Sequence, residues 1–188
     1  MRLFVALPLP DEVKEEIRRR TAGLQGELPR ARWVRPEALH LTLAFLGETE
    51  PSLVAPLTTS LSAACDPFPP ARCRLSGAGA FPPRGTARVL WLGVEAPAFL
   101  ADLQRAVAEA VFPIVGKEPD RRPFRAHLTV ARCQPPWPQW AVDRFSHAIP
   151  GPVGEPFTAT EGVLFESHLL PSGARYSVVA SFPLRGGQ

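Results

Sequence analysis

At 188 residues, 45% apolar and 21% charged, the chain has the size and composition of one ordinary globular domain or two small lobes sharing a core. No apolar run approaches the 18 residues of a membrane span, and three cysteines without paired spacing fit neither a disulfide framework nor a zinc site. The net charge is only +3, yet all but two of the 21 basic residues are arginine, whose forked guanidinium matches phosphate oxygens, so a phosphate-bearing partner is allowed.

Taken in order, Leu3 to Leu7 reads as a buried first strand. The run ends at Pro10 before Asp11 and Glu12, without a small-residue cleavage site, so no export signal is expected. With the cysteine usage, this points to a reducing cytoplasm. A helix follows on Val13, Ile17, Thr21 and Leu24, with Arg18, Arg19 and Arg20 as its solvated face. Arg32 to Val34 is a short extended piece that Pro36 interrupts. Leu39 to Leu46 is a strand closed by Gly47 and Pro51, and Leu53, Leu57, Leu61 and Ala64 trace a second helix, which Pro56 predicts to start late or kink. Two strand-like runs, Phe68 to Gly77 and Val89 to Val94, flank a turn-rich segment at 81–85. Phe99, Leu103, Val107 and Val111 mark a third helix, and a strand at 126–132 follows it. After Pro135, Pro136 and Pro138 a short helix is expected around Trp140 to Phe145. The tail reads as a hairpin, Glu161 to Leu170 and Tyr176 to Leu184, turning at 171–173. Helices and strands interleaved in two similar sets argue for a duplicated α+β architecture, not a parallel dinucleotide-binding sheet. No phosphate loop or dinucleotide fingerprint is present.

The chain repeats itself at two places. Arg35-Pro-Glu-Ala-Leu-His-Leu-Thr-Leu-Ala44 and Arg122-Pro-Phe-Arg-Ala-His-Leu-Thr-Val-Ala131 agree at six of ten positions. On a strand, alternate side chains share a face. His40, Thr42 and Ala44 therefore belong together, opposite Leu41, Leu43 and Phe45; His127, Thr129 and Ala131 likewise oppose Leu128 and Val130. Each copy offers an imidazole and a hydroxyl above an apolar reverse side that belongs in a core. Two imidazoles in opposite protonation states can give one proton and take another across a single electrophilic centre. The two threonines would aim hydroxyl donors at the charge that develops between them. In-line attack on a phosphodiester suits that symmetry, and the design needs neither metal nor cofactor. His147 and His168 lack the hydroxyl partner and are read as surface or structural. Rival readings are a metallohydrolase using the same histidines as ligands and a silent RNA-binding module.

At these residues the chain resembles the 2H phosphoesterases, and among them the RNA 2′,3′-cyclic phosphodiesterases, also called 2′-5′ RNA ligases. The likeness extends from Arg2-Leu-Phe-Val-Ala-Leu-Pro8 through both histidine strands and Arg88-Val-Leu-Trp-Leu-Gly-Val94 to Arg175-Tyr176 and Phe182-Pro-Leu184. It departs from the family pattern at Ala126, where a Pro commonly precedes the histidine. The resemblance implies a single bilobal domain over residues 1–188: two antiparallel-sheet lobes related by a pseudo-twofold, helices outside and the active cleft between. It implies opening of an RNA terminal 2′,3′-cyclic phosphate to a 2′-phosphomonoester and, in some members, the reverse 2′-5′ joining. His40 would be the proton donor and His127 the acceptor. Thr42, Thr129 and Arg132 would hold phosphate, although strict alternation puts Arg132 on the far face unless the strand ends or bulges there. Phe4, Trp33 and Phe45 are candidates for base stacking, and core packing is the competing reading for each. The expected partner is RNA with a 2′,3′-cyclic phosphate end, tRNA halves included, with no membrane and a monomeric chain. The alternative substrate is another cyclic phosphate, such as a cyclic nucleotide or an ADP-ribose derivative.

Overall fold

A run apolar on both strand faces, as Leu3 to Leu7 is, must be covered on both, and all five of these residues are buried. In the computed structural model, which describes residues 1–118, 122–170 and 173–187, this run lies in β1 (Arg2–Pro8). It is followed by α1 (Asp11–Ala22), β2 (Ala31–Trp33), β3 (His40–Glu48), α2 (Val54–Cys65), β4 (Ala71–Phe81), β5 (Ala87–Glu95) and α3 (Phe99–Val111). The second half adds β6 (His127–Trp137), α4 (Gln139–Ala148), β7 (Pro152–Ala159), β8 (Glu161–Leu170) and β9 (Gly173–Pro183). One antiparallel sheet has the order β3-β1-β8-β9, the other β2-β6-β5-β4-β7. Read outward from its histidine strand, each lobe repeats one pattern: β3-β1-β8-β9 in the first, β6-β5-β4-β7 in the second. The fold is thus the α+β, two-sheet, duplicated arrangement.

The helices bury the faces that their periodicity marks: Ile17 and Thr21 of α1; Leu57, Leu61 and Cys65 of α2; Leu103, Val107 and Val111 of α3; Ala141, Val142 and Phe145 of α4. Pro56 sits in the first turn of α2, where its missing N–H costs nothing, behind a 3₁₀ turn at Pro51–Leu53. The helix starts late and does not kink there. Arg18 pairs with Glu15, and Arg19 and Arg20 pair with Glu16, so the basic run of α1 is a solvated face. Among the described residues no helix is long and apolar enough to cross a membrane.

The structure departs from these expectations at three places. The strand expected from Phe68 begins at Ala71 and runs on to Phe81. β6 passes through Pro135 and Pro136 to Trp137, because beyond Cys133 its far edge is no longer paired with β2 and needs no N–H donors. β7 is an additional edge strand. The extended piece around Arg32, for which the sequence names no partner, pairs with the second lobe: β2 lies against β6, Arg32 opposite Arg132, and Val34 N–H continues the ladder to Val130 O at 2.8 Å. The expected hairpin is β8 paired with β9, with Pro171 and Ser172 outside the described residues.

Candidate active site

His40 is the first residue of β3 and His127 the first of β6. Each ring Nδ1 lies against the carbonyl oxygen two residues upstream, Ala38 O at 2.9 Å and Arg125 O at 2.7 Å. A carbonyl can only accept, so Nδ1 donates and Nε2 is left as the nitrogen that can exchange a proton. Phe4 lies against the His40 ring at 4.7 Å between centroids, and Tyr176 meets it edge-on at 5.2 Å. Burial among these rings pushes the His40 pKa down from 6.5 to about 4, the bond to Ala38 O opposing the shift. On the other side Phe81 meets His127 edge-on at 5.1 Å.

Both histidine strands bulge at the same place. Ala6 faces Thr42 and Val5 faces Ala44, so Leu43 is the extra residue. Trp91 faces Thr129 and Leu90 faces Ala131, so Val130 is extra. Each bulge falls three residues after its histidine. Past it the alternation inverts: Ala44 and Ala131 are buried, not on the histidine face. Phe45 and Arg132, five residues after each histidine, swing onto the face of His40–Thr42 and His127–Thr129. This supplies the bulge that Arg132 requires, and it moves Phe45 off the core face where strict alternation put it. An extra residue leaves backbone groups without a ladder partner. The Leu43 carbonyl accepts from Gln104 Nε2 of α3 at 3.1 Å, whereas the Val130 carbonyl accepts from Val34 N. β3 is an edge strand without a counterpart of β2, so a side chain takes the place of a backbone donor.

His40, Thr42, Phe45, His127, Thr129 and Arg132 all line one cavity of about 410 Å³ between the two sheets, together with Phe4 and Trp33. That is the size of an ordinary small-ligand pocket. Phe4 is buried and Phe45 is 50% exposed. Trp33 also packs on Trp137 and Phe145 of the second lobe, so its core and cleft roles coexist. The cavity further contains Arg2, Arg32, Arg35, Ser167 and Tyr176, which pattern reasoning does not single out as site residues. Arg2 and Arg132 both act electrostatically on the Tyr176 phenol, against the burial that raises its pKa. Tyr176 belongs to a segment matched in the family resemblance and Arg35 opens the first copy of the repeat; Arg32 has no comparable signal, since only the pairing of β2 with β6 brings it in. No Asp or Glu is among the cavity's described lining residues. No three His, Cys, Asp or Glu of the described residues converge as metal ligands. His147 and His168 stand elsewhere, on α4 against Asp143 O and on β8 against Ser177 Oγ. The three cysteines are buried and unpaired, with thiol pKa values pushed up to about 11 by burial, and take no part in the cleft.

A cleft with paired histidines, paired threonines and arginines that meet no acid among its described lining residues suits an anion that must gain and lose protons at opposite ends. Residues 9–161 match the model of the 2′-5′ RNA ligase superfamily. The chain is 36% identical over 207 residues to the RNA 2′,3′-cyclic phosphodiesterase of Thermus thermophilus, covering 99% of this chain and 91% of that protein. It is 35% identical over 186 residues to the enzyme of the same name from Geobacillus stearothermophilus, covering 97% of this chain but spanning only 57% of that relative's length. A crystal structure of a Thermus thermophilus protein aligns with a TM-score of 0.82 at 31% identity, over 100% of both chains.

Proposed function

Because the chain belongs to the 2′-5′ RNA ligase superfamily, we propose that it hydrolyses the 2′,3′-cyclic phosphate at an RNA end to a 2′-phosphomonoester. The observation that carries the reading is the duplicated constellation: two Nε2 atoms, two threonines and Arg132 around one cavity, with no carboxylate among its described lining residues. Each half supplies one proton carrier and one hydroxyl, which is what in-line displacement at a single phosphorus requires. His127 Nε2 takes the proton of the attacking water. His40 Nε2 gives a proton to the departing 3′ oxygen, so the phosphate stays on the 2′ oxygen. Thr42, Thr129 and Arg132 donate to the equatorial oxygens, where charge accumulates in the transition state. Phe45 offers its exposed ring to the terminal base. The reading extends to 2′-5′ joining, in which the 5′ hydroxyl of a second RNA end takes the place of water: His127 Nε2 takes its proton, the 3′ oxygen leaves with the proton of His40 Nε2, and the phosphate is left bridging the 2′ and 5′ oxygens. RNA with such an end, tRNA halves included, is the partner, a monomer the acting form and the cytoplasm the place.

In the free protein the lowered pKa of His40 keeps it neutral at pH 7, so its proton arrives with the substrate: a phosphate anion beside the ring favours the imidazolium. The test joins product chemistry to mutation. His40→Ala and His127→Ala should each lose about 10² to 10⁴ in turnover, with the double variant little worse, since acid and base act as a unit. Thr42→Ala and Thr129→Ala should each lose roughly 10². Phosphorus NMR of the wild-type product should show a 2′-phosphomonoester. A 3′-phosphate product, or one dispensable histidine, would refute the opposed roles.

A further inference from the structure

We propose that Arg32 and Arg35 form a second anion subsite beside Arg132, which takes the internucleotide phosphate one step upstream of the reacting end. The preferred substrate is then an oligonucleotide and not a mononucleoside cyclic phosphate. This subsite rests on the functional reading above and names where the rest of the RNA goes.

Arg32 of β2 stands directly opposite Arg132 of β6, and like charges facing each other on neighbouring strands destabilise a sheet. Arg2, Arg32, Arg35 and Arg132 all line the cavity, and none of them has a carboxylate partner among the described residues. Arginines on the helices are treated differently: Arg18, Arg19, Arg20, Arg105 and Arg144 each pair with a Glu or Asp. The described lining residues of the cleft include no acid, so its arginines form a cationic cluster that a bound anion neutralises.

A single terminal phosphate does not use all of that charge. Two imidazoles, two threonine hydroxyls and Arg132 already meet its oxygens. Arg2 is engaged with Phe45, its guanidinium 5.1 Å from that ring's centroid. Arg32 and Arg35 remain. Trp33 between them is anchored against Trp137 and Phe145, at 6.5 and 6.3 Å between ring centroids, which fixes the backbone that carries both. Arg35 reaches across to donate to Ala174 O of β9 at 3.2 Å, leaving the other donors of its fork unused. Arg32 lies one strand beyond Arg132, about 4.8 Å across the ladder. Arg32 thus stands on the Arg132 side of the cleft and Arg35 reaches toward β9, and both residues line the one cavity that the RNA must leave. A phosphodiester, singly charged and with two free oxygens, is the group that two such forks fit.

Three substrates with the same 3′ nucleoside test this: the mononucleoside 2′,3′-cyclic phosphate, the dinucleotide with the same cyclic end, and that dinucleotide with an uncharged methylphosphonate linkage. For the wild type, kcat/KM for the charged dinucleotide should exceed that for the mononucleoside by roughly 10- to 100-fold, as one charge-assisted pair gives. Its decline with salt should be steeper by about 0.7 in log–log slope. The methylphosphonate should lose most of the advantage. In Arg32→Ala and Arg35→Ala the ratio of dinucleotide to mononucleoside kcat/KM should fall toward one, and a ratio is insensitive to the fraction of enzyme folded. A wild-type ratio near one, or one unchanged by the neutral linkage or by both substitutions, overturns the subsite while leaving the phosphodiesterase reading intact. Failure to open any of the three overturns the functional reading itself, and the subsite with it.

Discussion

His40 is the residue whose chemistry the fold alters most, because Phe4 and Tyr176 close over a ring that would otherwise titrate near 6.5. The consequence for stability follows from its sign. The folded pKa of about 4 lies below the unfolded value of 6.5, so on acidification the unfolded chain takes the proton first. The contribution is fully present above pH 6.5 and is lost as the pH falls through 4. It amounts to at most about 3 kcal/mol, from 1.36 kcal/mol per pKa unit. Urea titrations at pH 7 and pH 4.5 should show a smaller loss of stability in His40→Gln than in the wild type; equal losses would mean that His40 is not buried as described. Under the proposed roles the same shift should set the acidic limb of the kcat/KM profile, which reports the free enzyme, near pH 4. The limb of kcat should lie at higher pH, since bound phosphate favours the imidazolium. Both limbs belong to the coupled pair of histidines.

Among the elements, the bulged strands β3 and β6 matter most, for without Leu43 and Val130 as extra residues Phe45 and Arg132 would face the core. Each bulge needs its freed carbonyl satisfied. In β6 a neighbouring strand does this through Val34 N; in β3 the Gln104 amide of α3 does. Gln104→Leu keeps the volume and removes the donor. It should cost about 1–3 kcal/mol, the penalty of an unsatisfied buried carbonyl, and it should lower turnover because Thr42 and Phe45 flank the bulge. Gln104→Glu, which cannot donate when ionised, should do no better. An unchanged urea midpoint and unchanged kcat in both variants would show that the bulge holds itself.

For the whole molecule, the duplication places one histidine and one threonine from each lobe on a common cavity, while β2 crosses over to brace the second sheet. The cavity's described lining residues include no carboxylate, and no His, Cys, Asp or Glu cluster of ligand character forms among the described residues. Turnover should therefore persist in excess chelator. Loss of activity that zinc or manganese restores would make the histidines metal ligands and displace the acid–base mechanism.

Much of this was legible before any coordinates. The His-x-Thr repeat, the apolar reverse sides of both histidine strands and the four helices are local, written in periods of two and 3.6 residues that neighbouring side chains impose. β7 escaped that reading because its alternation is interrupted near Gly154, which has φ +67° and lies where the register with β4 shifts. β6 was cut short because prolines read as breakers when the unpaired edge of a strand tolerates them. The single-residue bulges carry no local signature. They set which face Phe45 and Arg132 occupy, and that choice is made by the neighbouring strands and by Gln104, far away in the chain. Arg32 reaches the cleft only because β2 pairs with the opposite lobe. The chain by itself determined which reactive groups exist and which strands carry them; the tertiary structure decided what stands beside them, because register, bulges and the gathering of arginines at the cleft are properties of pairs of distant segments.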